Sequence, residues 1–105
     1  MGGFQAATIE RVSEAMSLRA LQLDVIASNV ANRDTEGYQR MRVQFDSALR
    51  RADAVRVGPD LAETTPSIED DLAQLASTSM QYQAMASSLS RYFSLLATIA
   101  NPTRA

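Results

Sequence analysis

The chain has 105 residues, 46% of them hydrophobic, and a formal net charge of −2. That is the length of one domain with an ordinary hydrophobic share, which excludes disorder throughout, and the near-neutral balance gives no long-range pull toward nucleic acid or anionic lipid. Neither cysteine nor histidine occurs, which removes disulfides, thiolate nucleophiles, Cys-based metal sites and the side chain most used for proton transfer near neutral pH.

The first predicted element is a helix from Gln5 to Asn32. Ile9, Val12, Met16, Leu23, Ile26 and Val30 fall on a three-four spacing, with Arg19 taking the one polar place. A second string through Ala15, Leu18, Gln22, Val25 and Asn29 lies beside the first, so the apolar face is broad and not a narrow seam. Ahead of it, Met1 to Ala7 lacks a basic region, and Glu10, Arg11 and Glu14 interrupt the next stretch, so no cleavable signal peptide is expected.

The helix is expected to stop at Asn32, because Asn32 to Gly37 is rich in residues that favour caps and turns, and Gly37 tolerates positive φ. Tyr38 to Phe45 alternates so that Met41, Val43 and Phe45 share one face, the pattern of a short extended piece. Phe45 to Ala54 reads equally well as a short helix. The segment from Asp46 to Pro66 carries Arg50, Arg51 and Arg56, then Asp60 and Glu63. It is broken by Gly58-Pro59 and by Thr64-Thr65-Pro66. The whole of 33–66 reads as turn and connector.

The second long helix is predicted over 67–100. Pro66 precedes Ser67, a good N-cap, and Glu69, Asp70 and Asp71 crowd the first turn, where carboxylates favour the positive end of the helix dipole. Pro102, after Asn101, marks the far end. Ile68, Leu72, Leu75, Ser79, Tyr82, Ala86, Leu89, Phe93, Leu96 and Ala100 alternate by four and three, a coiled-coil pattern. Between Leu72 and Ala100 the only charged residue is Arg91, and the outward positions are Ser, Thr and Gln. A solvated face carries more charge than that. A helix of this length spans about 50 Å, about twice the ~26 Å that a compact globule of this size measures. One partner helix cannot cover both flanks, so the pattern implies an assembly subunit. The plainer alternative is a self-contained antiparallel hairpin or simple dimer with a Ser-rich face. Ser87, Ser88, Ser90 and Arg91 break up Ala84 to Ala100, so no membrane span is expected.

No catalytic, cofactor or metal site is expected. Helix capping accounts for Glu69, Asp70 and Asp71. Ser17, Ser28 and Ser90 have no histidine to activate them, and no Gly-rich phosphate loop occurs. The arginines at 40, 42, 50, 51 and 56 are interrupted by Asp46 and Asp53, without the aromatic interleaving of a nucleic-acid surface.

The run Ala27-Ser28-Asn29-Val30-Ala31-Asn32-Arg33-Asp34-Thr35-Glu36-Gly37-Tyr38 resembles the signature A-S-N-[IV]-A-N-x-x-T-P-G-Y, which closes the N-terminal helix of flagellar rod and hook axial proteins. Leu18-Arg19-Ala20, Val43-Gln44-Phe45, Met80-Gln81-Tyr82-Gln83-Ala84 and Leu89 to Leu96 look like the proximal-rod branch of that family. Glu36 stands where the signature has proline. The resemblance implies a mainly α subunit whose two long terminal helices form an antiparallel, coiled-coil-like pair around a short irregular or partly extended middle. It implies Ser28, Asn29, Asn32, Thr35, Gly37 and Tyr38 as a structured turn. Ile68, Leu72, Leu75, Tyr82, Leu89, Phe93 and Leu96, with Val12, Met16, Leu23 and Ile26, would be packing and assembly positions. It further implies export through the flagellar type III apparatus without a cleaved signal, self-association, and a place in the periplasmic rod of the basal body. The neighbours there would be other rod proteins and the base formed by FliE and the MS ring. A helical adaptor or export chaperone of such a secretion system is the alternative.

Overall fold

A computed structural model describes residues 2–45 and 55–101 of the chain. Two long helices, α1 (Gly2–Ala31) and α2 (Ile68–Ala100), flank two short strands, β1 (Met41–Phe45) and β2 (Val55–Pro59). The fold is mainly α, as expected. The possibility of a helix over 45–54 concerns a segment that lies, beyond Phe45, outside the described residues.

Between Phe4 and Ala31 there is neither glycine nor proline, so nothing interrupts the backbone ladder of α1. α1 begins three residues before the predicted start. α2 begins where its cap requires: Ser67 is extended (φ −67°, ψ 161°) and its hydroxyl accepts from the Asp70 N–H at 3.1 Å. At the other end Asn101 caps the helix, donating its N–H to the Ala97 carbonyl at 2.9 Å.

The two helices run antiparallel. Arg33, just past the end of α1, bonds to Pro66 and Asp71 at the start of α2, whereas Met16 lines a trough with Leu89 and Phe93. The molecule measures 61 × 30 × 16 Å, with a radius of gyration of 18.0 Å. A compact globule of this length would have about 13 Å.

The predicted extended piece is β1, and it has a partner that the sequence did not disclose. Val55 to Pro59, read as irregular connector, pairs antiparallel with β1 in the register Met41↔Pro59, Val43↔Val57 and Phe45↔Val55. Directly opposed residues share a face. Met41, Val43, Phe45, Val55, Val57 and Pro59 therefore form an apolar side, and Arg42, Gln44 and Arg56 a polar one. Pro59 lies opposite Met41, whose own N–H and C=O turn away from β2 to meet Asn29. Pro59 thus sits at an outward-facing position of the ladder, where no N–H is needed.

Packing is thin. Val25, 9% exposed, is the one buried hydrophobic side chain among the described residues, and no large side chain there is fully enclosed.

Candidate assembly site

Two clusters hold the turn end of the molecule together. The first grows from the signature residues. Asn32 closes α1 by donating both its backbone N–H and its side-chain amide to the Ser28 carbonyl, each at 3.0 Å. Thr35 donates its N–H to the Asn32 carbonyl at 3.0 Å and its hydroxyl to Asn32 Oδ1 at 3.3 Å. Tyr38 N–H then returns to the Thr35 carbonyl at 3.2 Å, and Gly37 between them has φ 78°. That is the positive φ demanded at the third position of a type II turn, where glycine suffers no Cβ clash.

The turn delivers Tyr38 back onto α1. Its hydroxyl donates to Asn29 Oδ1 at 3.0 Å and lies 3.1 Å from the Ser28 hydroxyl. Asn29, only 3% exposed, also accepts from the Met41 N–H at 3.0 Å and donates to the Met41 carbonyl at 2.8 Å. Its carboxamide thus pairs with both polar groups of one strand residue, as a neighbouring strand would. A buried primary amide left unpaired at these atoms costs more than the bonds gain, so the geometry is tightly specified.

The second cluster is ionic. Asp71, whose side chain is 5% exposed, accepts a bidentate pair from Arg40, Nη1 to Oδ2 at 2.9 Å and Nη2 to Oδ1 at 3.0 Å. Arg33 Nη1 reaches the same Oδ2 at 3.3 Å while its Nη2 donates to the Pro66 carbonyl at 2.9 Å. Asp60 stands 3.8 Å from Arg40 Nε, and its own N–H bonds the Arg40 carbonyl at 2.8 Å. Hydrogen bonding to Asp71 raises the Arg40 pKa above its ordinary value, against the opposing effect of burial; the charges of Asp71 and Asp60 add to the rise. The carboxylate therefore ties the turn, β1 and α2 to one point. Glu69, Asp70 and Asp71 all lie in the first turn of α2, as expected; Glu69 and Asp70 stay exposed, whereas Asp71 is also buried and ion-paired.

The structure thus brings Ser28, Asn29, Asn32, Thr35, Gly37 and Tyr38 into one hydrogen-bonded turn. Along the helices, Val12, Met16, Leu23 and Ile26 of α1 and Leu75, Tyr82, Leu89 and Leu96 of α2 are half-buried. Leu72 and Phe93 are 47% and 48% exposed, and Ile68 is exposed as well. The covered face of α2 runs through Asp71, Leu75, Thr78, Ser79, Tyr82, Met85, Ala86, Leu89, Tyr92 and Leu96. It keeps Leu75, Ser79, Tyr82, Ala86, Leu89 and Leu96 of the predicted stripe, and has Asp71 and Tyr92 in place of Leu72 and Phe93. Sequence reading missed Arg33, Arg40, Asp60 and Met41 as parts of the site. The one signal for them was that the arginines of the turn precede an acidic first turn of α2.

Among the described residues no helix is long and apolar enough to cross a membrane, and no group of acidic side chains stands together as a metal site.

A family model described as flagella basal body rod protein matches residues 12–39, the last two thirds of α1 and the turn after it. The chain is 47% identical over 38 residues to the flagellar basal body rod protein FlgB of Escherichia coli (strain K12), 45% to that of Salmonella typhimurium and 42% to that of Yersinia enterocolitica. Each match covers 36% of this chain and 28% of the relative's own length.

Proposed function

We propose, from the match of residues 12–39 to the flagella basal body rod family, that the chain is a structural subunit of the proximal rod, built into it through its two long helices. The observation that carries this reading is the thinness of the packing. A 33-residue helix with Met80, Leu95 and Ile99 exposed beside neutral Ser and Thr positions has more apolar surface than α1 covers. Exposed apolar stretches of this extent mark association surfaces in soluble chains. Neighbouring subunits supply the missing cover, and the molecule's 61 Å length presents it along most of each helix.

On this reading the chain leaves the cytoplasm through the flagellar type III apparatus without a cleaved signal. It meets other rod proteins and the FliE and MS-ring base, and it performs no catalysis. The decisive experiment locates the protein in purified basal bodies. It then tests whether replacing Leu89, Phe93 and Leu96 by Ser removes it from them while the cells still make it. Retention of the triple variant in intact rods would count against assembly through α2.

One feature favours a second reading. An open trough between the helices, lined by Met16, Ala86, Leu89, Phe93 and Ala97, has the apolar lining suited to a foreign helix. This is what a helical adaptor or export chaperone of the same system needs. An adaptor is a well-folded monomer or dimer with a sharp melt at low concentration, whereas a rod subunit melts broadly and more weakly on dilution.

A further inference from the structure

The side of α2 opposite its covered face is exposed and carries a pattern that reads alike from either end. Met80, 68% exposed, stands at its middle. Ser77 and Ala84 lie three and four residues to either side of it, and Ala73 and Ser87 seven, all of them exposed. Ten residues before Met80 stands Asp70, with Glu69 beside it, and eleven residues after it stands Arg91; these too are exposed. Steps of three and four keep the string on one side of the helix. Among the described residues none of the three charges takes part in an ion pair, and Arg91 donates to the Ser87 hydroxyl at 3.3 Å. This side is therefore acidic at one end, basic at the other and uncharged between.

We propose that two copies of this chain pair through this side of α2, the two helices running antiparallel about a two-fold axis at Met80. Arg91 of each copy then lies beside Glu69 and Asp70 of the other, so one contact makes the same unlike-charge pairing twice. The overlap runs from Asp70 to Arg91, about 32 Å at roughly 1.5 Å per residue. Small residues on either side of Met80 let the helix axes approach to about 8–10 Å, and the flexible methionine side chains fill what remains. An in-register parallel pair would set Arg91 against Arg91 and Asp70 against Asp70, which is repulsive. A parallel pair staggered to match the charges would overlap only residues 91–100 with 70–79 and leave Met80 uncovered. The antiparallel pair is closed, because each copy occupies the other's face. It goes beyond the rod reading and needs nothing from it: the free chain holds the outer side of α2 in a dimer, which must open before that side can join any larger array.

The test uses the full chain in solution, followed by sedimentation at low ionic strength, with helicity checked by circular dichroism. R91E alone and E69R/D70R alone are each expected to dimerise at least about tenfold more weakly than the unaltered chain, because like charges then meet. An equimolar mixture of the two recovers a dimer, since both of its charge pairings are again unlike. The chain has no cysteine, so two single-cysteine variants that keep every native charge give a second readout. M80C is expected to cross-link to itself on mild oxidation, its two sulfurs meeting at the axis. L95C is not, because antiparallel pairing holds its two sulfurs roughly 45 Å apart along the helices. Unchanged association of both reversed forms, or a mixture no better than its components, overturns the inference. So does self-linking of L95C as fast as M80C, the mark of a parallel pair, or an associating M80C that stays unlinked, the mark of a staggered one. Should a reversed form lose helicity, the two cysteine variants still decide, since they leave the charges and the covered face of α2 intact. Presence or absence of the chain in basal bodies moves none of these readouts.

Discussion

Asn29 is the residue on which the turn depends most. Its amide satisfies the Met41 N–H and C=O together and receives the Tyr38 hydroxyl. Asn29→Ala leaves two backbone groups unsatisfied, and the expected loss is about 2–4 kcal/mol, read as a lower urea midpoint with an unchanged slope. Asn29→Asp is expected to lose as much despite its shape, since an oxygen replaces the donor facing the Met41 carbonyl. Glu36 points the other way. It occupies the second position of the Thr35–Tyr38 turn, where proline fixes φ at about −65°, and no hydrogen bond uses its N–H. Glu36→Pro is therefore expected to stabilise the chain by about 0.4–1 kcal/mol through the unfolded state, a rise in melting temperature that checks the turn geometry directly. Asp71→Asn weakens the pairing that holds Arg40 and Arg33. With both arginines partly exposed, about 2–3 kcal/mol is expected, and it should fall as salt is added.

For α2, the capping bond of Ser67 predicts a loss of about 1 kcal/mol for Ser67→Ala, measurable by thermal melting. The difference in cover between Leu89 and Phe93 predicts a division of labour. Leu89→Ala, half-buried against α1, should lower the stability of the lone chain, while Phe93→Ala, nearly half-exposed, should leave it within about 0.5 kcal/mol and act on association instead. Parallel melting and sedimentation of the two variants separate these effects. The start of α2 was legible because Pro66, Ser67 and the acids after it are chemically unambiguous. The turn was legible because Asn, Thr, Gly and Tyr each have a single use there. What was not legible is which residues complete the covered face of α2. Leu75, Ser79, Tyr82, Ala86, Leu89 and Leu96 are covered where the pattern has them, but hydrophobicity favours Leu72 and Phe93 over Asp71 and Tyr92. Asp71 is held inward by Arg33 and Arg40, an ion-paired arrangement that hydrophobic patterning does not register. Strand β2 was hidden for a related reason. Gly58-Pro59 looks like a break, yet Pro59 lies on an outward-facing ladder position and Gly58 is buried beside the Gln44 side chain. A pairing made only through space leaves little trace in five residues.

At the scale of the whole molecule, the structure is a slab 16 Å thick in its narrowest direction, with its polar fastenings at the turn end and, beyond them, a thinly covered helix pair in which α2 past Leu72 carries Arg91 as its one charge. A helix with its side chains is about 10–12 Å across, so no second layer shields α1 and α2 from either side. On the proposed assembly, helix stability then depends on cover from other chains. A tenfold increase in protein concentration is expected to raise the melting temperature and sharpen the transition, as followed by circular dichroism. The same slab has a consequence for how the molecule breathes. Every amide along α2 lies within one side chain of water on at least one side, so deuterium has no deep interior to reach last. Uptake in the isolated chain should form a gradient: slowest beside Val25, Asn29 and Asp71, where side chains clamp the backbone, and progressively faster toward Ala100.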